Sequence, residues 1–307
     1  MRLLVTGASG FVGSHLCRHL AGAGHHVATL GSDAGCDYRV DVCDAGDVSA
    51  AVRQAAPDAI AHLAAVAFVP HANADPDLAD RVNRGGTANV LDAAAAIGAR
   101  TLAVSSGAVY GKVAADRMPI DEDFQLNPAD AYARSKAAAE RECLDRAATQ
   151  EVVRVRPFNI TGPGQARDYV CSDFAGQIAE AEAGLRERRI RVGDLRAERD
   201  FTDVRDAVGA YALALERGDP GQVYNICTGV PVSISSVLDR LLAVSTVDVE
   251  VDVERSRLRP GEVNRYYGSA ARLEAATGWG RTIGLDQTLA DLLDDWRARV
   301  GRKDNGS

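Results

Sequence analysis

The chain is predicted to be α/β: a doubly wound parallel sheet joined to a smaller C-terminal α/β unit. Three observations predict it. Short apolar runs alternate with helix-patterned segments through the first half of the chain. A glycine-rich turn joins the first apolar run to the first helical pattern. After Phe158 that rhythm breaks into shorter, mixed segments. Strands alternating with helices in this way imply parallel pairing and right-handed crossovers.

The elements follow in order. Arg2–Thr6 reads as a strand, Phe11–Ala23 as a helix, and His26–Leu30 and Tyr38–Val42 as strands. Asp47–Ala55 is helical and Ala59–Leu63 a strand. A long helix over Arg81–Ile97 precedes a strand over Thr101–Ser105. Ala131–Thr149 is helical and Glu151–Arg156 a strand. Beyond the break, Gly162-Pro163-Gly164 is a loop, Phe174–Leu185 a helix and Ile190–Val192 a short strand. Val223–Ile226 reads as a strand and Ile234–Ala243 as a helix, while Val247–Val253 alternates apolar and acidic residues like an edge strand. Leu285–Val300 is an amphipathic helix, and the polar tail Gly301–Ser307 is expected to be disordered. No repeat or low-complexity linker is present. The expected division is therefore 1–160 with return segments near 200–227, then 161–199 with 228–300, then a tail at 301–307.

Composition narrows the function. Of 307 residues, 46% are hydrophobic and 25% charged, which suits a large globular core. A net charge of −8 argues against nucleic acid as partner, so an anionic ligand must be met by local cations. No apolar run is long enough for a membrane span. The first strand begins almost at Met1, which leaves no room for a signal peptide, and a cytoplasmic location is expected. Cys17, Cys36, Cys43, Cys143, Cys171 and Cys227 lack metal-binding spacing and read as reduced thiols, with no metal site.

Chemistry concentrates at strand ends. Gly7, Gly10 and Gly13, with Phe11 and Val12 between them, follow a strand and open a helix, the context in which glycines admit a pyrophosphate. The end of the second strand is Gly31-Ser32 rather than an acid, so a ribose 2′-phosphate is not repelled there. No Arg stands at that place, and Asp33 would serve a 2′-hydroxyl if the loop turned back. The cofactor expected is NADP or NAD, with a slight lean to NADP. Asp41-Val42 would lie by the adenine, and Leu63-Ala64-Ala65 would let the cofactor backbone pass. His62 and Asn83 read as structural hydrogen-bonding residues. Ser106 ends another strand, where a hydroxyl would meet a substrate carbonyl. Tyr132 and Lys136 share a helical face. The chain has only three lysines, Lys112, Lys136 and Lys303, so a Lys at this spacing suggests a need for a compact ammonium. It is expected to lower the Tyr132 pKa and make the phenol a proton donor and acceptor.

Gly7/Gly10/Gly13, Ser106, Tyr132 and Lys136, in this order, resemble the extended short-chain dehydrogenase/reductase (NAD-dependent epimerase/dehydratase) superfamily over essentially the whole chain. The resemblance implies a Rossmann first unit and a nucleotide-sugar-binding second unit. It makes Tyr132 the general acid/base, Lys136 the binder of the nicotinamide ribose, and Ser106 the residue that orients the reacting oxygen. Arg156–Gln165 resembles the family segment that links the sheet to the nucleotide-sugar site. Ile190–Leu195, Arg199–Val204 and Leu258–Val263 resemble its GDP-mannose dehydratase/reductase branch. Asn159, Arg199 and Arg259 would then contact the diphosphate, and Val170 and Glu262 would help hold the nucleoside. Arg forks suit phosphate oxygens.

Absences select the reaction. Dehydratases of this family need an acid and a base just after the strand-end hydroxyl, where this chain has Gly107 and Ala108. The epimerase–reductases need a Cys there and a His in the substrate loop, and Gly164–Val170 contains no His. The expectation is NAD(P)H-dependent reduction of a nucleotide-activated 4-keto-6-deoxyhexose, with a GDP-sugar favoured. A 4-epimerase, or a ketoreductase of another nucleotide sugar, is the alternative. A non-catalytic dinucleotide-binding regulator would be expected to lack the Tyr or the Lys. The resemblance also implies a homodimer through a four-helix interface of Arg81–Ile97 and Ala131–Thr149.

Overall fold

The computed structural model of the chain describes residues 1–254 and 265–304. In chain order it contains β1 (Arg2–Thr6), α1 (Phe11–Gly22), β2 (His26–Gly31), β3 (Tyr38–Arg39), α2 (Ala45–Ala55) and β4 (Ala59–His62). Next come α3 (Val69–Ala74), α4 (Pro76–Asp80), a π-helical turn (Arg81–Gly85), α5 (Gly86–Ala95), β5 (Arg100–Val104), α6 (Ala131–Arg146) and β6 (Val152–Pro157). The remainder is β7 (Asn159–Thr161), α7 (Val170–Glu182), β8 (Arg189–Val192), β9 (Glu198–Asp203), α8 (Val204–Arg217), β10 (Val223–Ile226), β11 (Pro231–Ser233), α9 (Ile234–Ala243), β12 (Glu250–Val253), β13 (Arg265–Tyr266), α10 (Ala271–Thr277) and α11 (Leu285–Asp304).

Seven strands form one parallel sheet in the order β10-β6-β5-β4-β1-β2-β3. Alternation along β1 shows why both faces are covered. Leu3 and Val5 pack in one cluster with Leu16 and Leu20 of α1 and Val208 and Tyr211 of α8. Leu4 packs in another with Val48 and Val52 of α2 and Val90 of α5. The strand order reverses between β1 and β4, which opens a crevice above their carboxyl ends. A second sheet places β9 between β11 and β13, with β7 also paired to β9. β8 and β12 form a separate pair. A second core joins Phe174, Ile178, Ile190, Phe201, Leu241, Leu292 and Trp296.

Several elements differ from expectation. β3 ends at Arg39 because Asp41 Oδ1 accepts the Cys43 N–H at 2.9 Å and turns the chain out of the sheet. The expected helix Arg81–Ile97 begins as a π-helical turn continuous with α4. Leu285–Val300 runs on to Asp304, so residues 301–304 are helical rather than a disordered tail. Ion pairs Arg297–Asp294 and Arg299–Asp295 brace the turns just before it. α3, α4, β7, β9, α8, β11, β13 and α10 had no counterpart in the expected elements. Among the described residues no helix is long and apolar enough to cross a membrane.

Candidate active site

The turn after β1 is shaped around close backbone approach. Gly7 has φ +67°, and a Cβ there would lie 2.7 Å from Ala64 N. A Cβ at Gly13 would lie 2.1 Å from the Gly7 carbonyl oxygen. Only glycine fits either place. Gly10 caps α1 without a side chain, so the first N–H groups of that helix, at its positive dipole end, face outward. That is an anion seat suited to a pyrophosphate.

A cleft of about 1080 Å³ runs from this seat to β7 and β9. Its first end is lined by Gly7, Gly10, Phe11, Val12, Gly13, Gly31, Ser32, Asp41, Val42, Leu63, Ala64 and Ala65. Asp33 also lines it, and its carboxylate accepts a hydrogen bond from Ser9 in the glycine turn.

Ser106, Tyr132 and Lys136 stand together in the middle of the cleft. Tyr132 and Lys136 are on α6, whose N-terminus is capped by Asp130 accepting the Ala133 N–H at 2.8 Å. The Ser106 hydroxyl acts on the Tyr132 phenol across the cleft, and its own Oγ accepts the Ala108 N–H at 3.2 Å. The protonation differs from the sequence expectation. Burial pushes the Tyr132 phenol up to about 12, with the Ser106 hydroxyl opposing. Lys136 instead donates to the Val104 carbonyl at 2.9 Å, and burial brings its ammonium down to about 8. At neutral pH the pair is therefore a neutral phenol beside an ammonium, poised to give a proton rather than take one.

Two buried networks hold α6. One is uncharged. Thr6 Oγ1 accepts the backbone N–H groups of Leu63 and Ala64, so its own proton goes to His62 Nδ1 at 2.7 Å. His62 Nε2–H then donates to Thr87 Oγ1 at 3.1 Å, and Thr87 donates to the Asn83 carbonyl at 2.6 Å. The Asn83 side chain accepts from Val66 N and donates to Ser135 Oγ at 2.8 Å, and Ser135 donates to the Tyr132 carbonyl. Full burial, with a contribution from the Lys136 charge, lowers the His62 pKa to about 3. The second network is ionic. Glu140, only 2% exposed, accepts Ser105 Oγ at 2.5 Å and two Arg156 nitrogens at 2.8 and 2.6 Å, with Arg154 at 3.5 Å. Arg156 also donates to the Tyr110 hydroxyl, which donates to Asn225.

Comparison with known proteins places this geometry. Residues 3–227 match the model of the NAD dependent epimerase/dehydratase family. A GDP-6-deoxy-D-mannose reductase from Pseudomonas aeruginosa is 40% identical over 97% of this chain and 98% of its own length. The chain belongs to the NAD dependent epimerase/dehydratase family. A UDP-glucose 4-epimerase of the family, from Mycolicibacterium smegmatis, is 30% identical over 97% of this chain and 99% of its own. A structure of RMD from Pseudomonas aeruginosa complexed with NADPH superposes with TM-score 0.90 at 38% identity, covering 97% of this chain and 100% of that one.

At the other end of this epimerase/dehydratase cleft the walls are side chains. Arg199 lines it from β9, and Asn159 from β7 with its amide donating to the Asp200 carbonyl at 3.1 Å. Val170 does not line the cleft. It begins α7 and packs against the second core, while its neighbour Tyr169 takes the cleft wall. Arg259 and Glu262 lie outside the described residues. Sequence reading passed over Tyr169, Phe158 and Tyr266 as lining residues. Tyr266 Oη donates to the Gly107 carbonyl at 2.6 Å, and its ring lies 5.5 Å from that of Phe158. Phe158 was visible as part of the segment from Arg156 to Gln165, whereas nothing local marks Tyr266.

Proposed function

We propose that this enzyme is an NAD(P)H-dependent 4-ketoreductase that converts GDP-4-dehydro-6-deoxy-D-mannose to GDP-D-rhamnose. The observation that carries the reading is the proton inventory around Ser106, Tyr132 and Lys136. The next two residues, Gly107 and Ala108, have no group that could move a second proton. A Cβ at Gly107 would sit 3.2 Å from the Phe158 ring, so a larger residue there would have to displace that ring. The 40% identity with a GDP-6-deoxy-D-mannose reductase supports the same substrate.

A reduced nicotinamide dinucleotide bound in the cleft supplies the hydride. The glycine seat and the N–H groups of α1 would hold its pyrophosphate. Tyr132 donates its phenolic proton to the C4 oxygen as that oxygen gains charge. The Ser106 hydroxyl hydrogen-bonds the same oxygen and fixes its direction. The phenolate left behind faces the Lys136 ammonium on the same helical face. Asn159 and Arg199, with Arg259, hold the diphosphate, and Glu262 with the Val170 region holds the nucleoside. Residues 161–199 and 228–300 form the nucleotide-sugar unit.

A direct assay tests this. The enzyme is given enzymatically generated GDP-4-keto-6-deoxymannose with NADPH or NADH, absorbance is followed at 340 nm, and the product sugar is identified by NMR. Cofactor oxidation with formation of GDP-D-rhamnose is expected. No oxidation of either cofactor overturns the reading. The 4-epimerase alternative, favoured by the UDP-glucose 4-epimerase likeness, predicts sugar interconversion with retained NAD and no added reductant. We further propose a cytoplasmic homodimer packed through the helices of segments 81–97 and 131–149. Light scattering that returns a monomer mass would refute the dimer.

A further inference from the structure

The second strand of the large sheet carries no basic residue at its end, yet its neighbour does. Arg39 is the last residue of β3 and lies directly beside Gly31 in the parallel register. The register is fixed one residue on, where Val40 N donates to the Gly31 carbonyl at 2.9 Å. From there the Arg39 side chain crosses the end of β2, and its Nε donates to the Ser32 carbonyl at 3.2 Å. Gly31 and Ser32 both line the cleft at its dinucleotide end. We infer that Arg39 is the residue that reads the ribose 2′-phosphate and makes the enzyme prefer NADPH to NADH. This rests on the reading of the cleft as a dinucleotide site.

Five features support it. Gly31 puts no acid at the place from which one would take the ribose 2′-hydroxyl and repel a phosphate. The Nε–Ser32 bond anchors the guanidinium, leaving its two terminal nitrogens to form a fork, the geometry that suits phosphate oxygens. Among the described residues no carboxylate forms an ion pair with Arg39. Asp33, the acid nearest in sequence to the end of β2, accepts a hydrogen bond from Ser9 in the glycine turn. With a net charge of −8 the protein as a whole repels a phosphate, so a local cation must supply the attraction.

The test is binding, apart from turnover. Isothermal titration with NADPH and NADH is run on the unaltered protein and on Arg39→Leu, with 2′-AMP and 5′-AMP as competitors. Arg39 is exposed, so the fold should tolerate the change. NADPH affinity is expected to fall about tenfold or more, the scale of one lost charge-assisted fork, with NADH affinity unchanged. 2′-AMP should lose its advantage over 5′-AMP as a competitor. Gly31→Asp should shift preference the same way, because it sets an acid beside the fork. Equal losses for both dinucleotides in Arg39→Leu, or no loss for NADPH, overturn the assignment. Failure of both dinucleotides to bind the unaltered protein overturns it together with the cofactor reading. A wrong choice of sugar substrate would leave these isotherms unmoved.

Discussion

Tyr132 and Glu140 lie two turns apart on one helix, and the networks around them are built on opposite principles. The one behind Tyr132 is neutral throughout and reaches the tyrosine only through its backbone carbonyl. The one around Glu140 is ionic, and it ties the helix to β6 through Arg154 and Arg156. Behind the tyrosine the helix is aimed by hydrogen bonds alone, and Lys136 is the charge that faces the cleft beside it. One turn beyond Lys136, charge pins the helix, with each ion answered by a buried partner. Aim and anchorage are thus separated along a single helix.

The comparison can be broken at either end. Tyr132→Phe should lower kcat by about 10²–10⁴-fold while NADPH and nucleotide-sugar affinities stay near their starting values. An active variant would remove the tyrosine from the chemistry. Glu140→Ala strands Arg154 and Arg156 in the interior and should cost about 3–5 kcal/mol of stability in denaturant unfolding. A cost below about 1 kcal/mol would show that water reaches the site.

Smaller effects sharpen the contrast. Asn83→Ala leaves the Val66 N–H without its acceptor and should cost about 1–3 kcal/mol. Because Asn83 also holds Ser135, kcat should drop more than KM rises. A change in stability without one in kcat would make the network a scaffold only. His62 gives a pH signature. Its folded pKa of about 3 is below the ordinary value of 6.5, so below pH 6.5 the unfolded state binds a proton that the folded state refuses. Stability is then complete above pH 6.5 and falls by up to about 1.4 kcal/mol per unit as pH drops toward 3. Unfolding measured between pH 7 and 5.5 should show this slope, and His62→Gln should flatten it.

The glycine-turn end of the cleft was legible because it is local. The glycine turn spans seven residues, Tyr132 and Lys136 are one helical turn apart, and the strands before them follow the apolar rhythm. The supports of the site were not legible. Glu140 meets Arg156 and Ser105 from other elements, and Tyr266 reaches Gly107 from 159 positions away. No period or motif connects such partners, since only the tertiary fold brings them together. The short strands β7 and β9 escaped for the same reason: they exist by pairing with each other rather than by any apolar run of their own. The expected pKa of Tyr132 missed in a third way. Spacing placed a cation four residues away, but the depth of burial, which decides the sign, is a property of the packed site.

The outermost strand of the large sheet carries a consequence for how this enzyme can be inherited. β10 comes from residues 223–226, yet it completes the sheet begun by the first residues of the chain, alongside β6. α8, which leads to it, packs on α1. A gene fragment ending after Thr161 would expose the whole edge of β6 and uncover one face of β1, a template for aggregation. The first half is therefore no transferable cassette. Recombination that exchanges the second unit within this architecture must keep α8 and β10, residues 204–226, in one lineage with the strands of the first half.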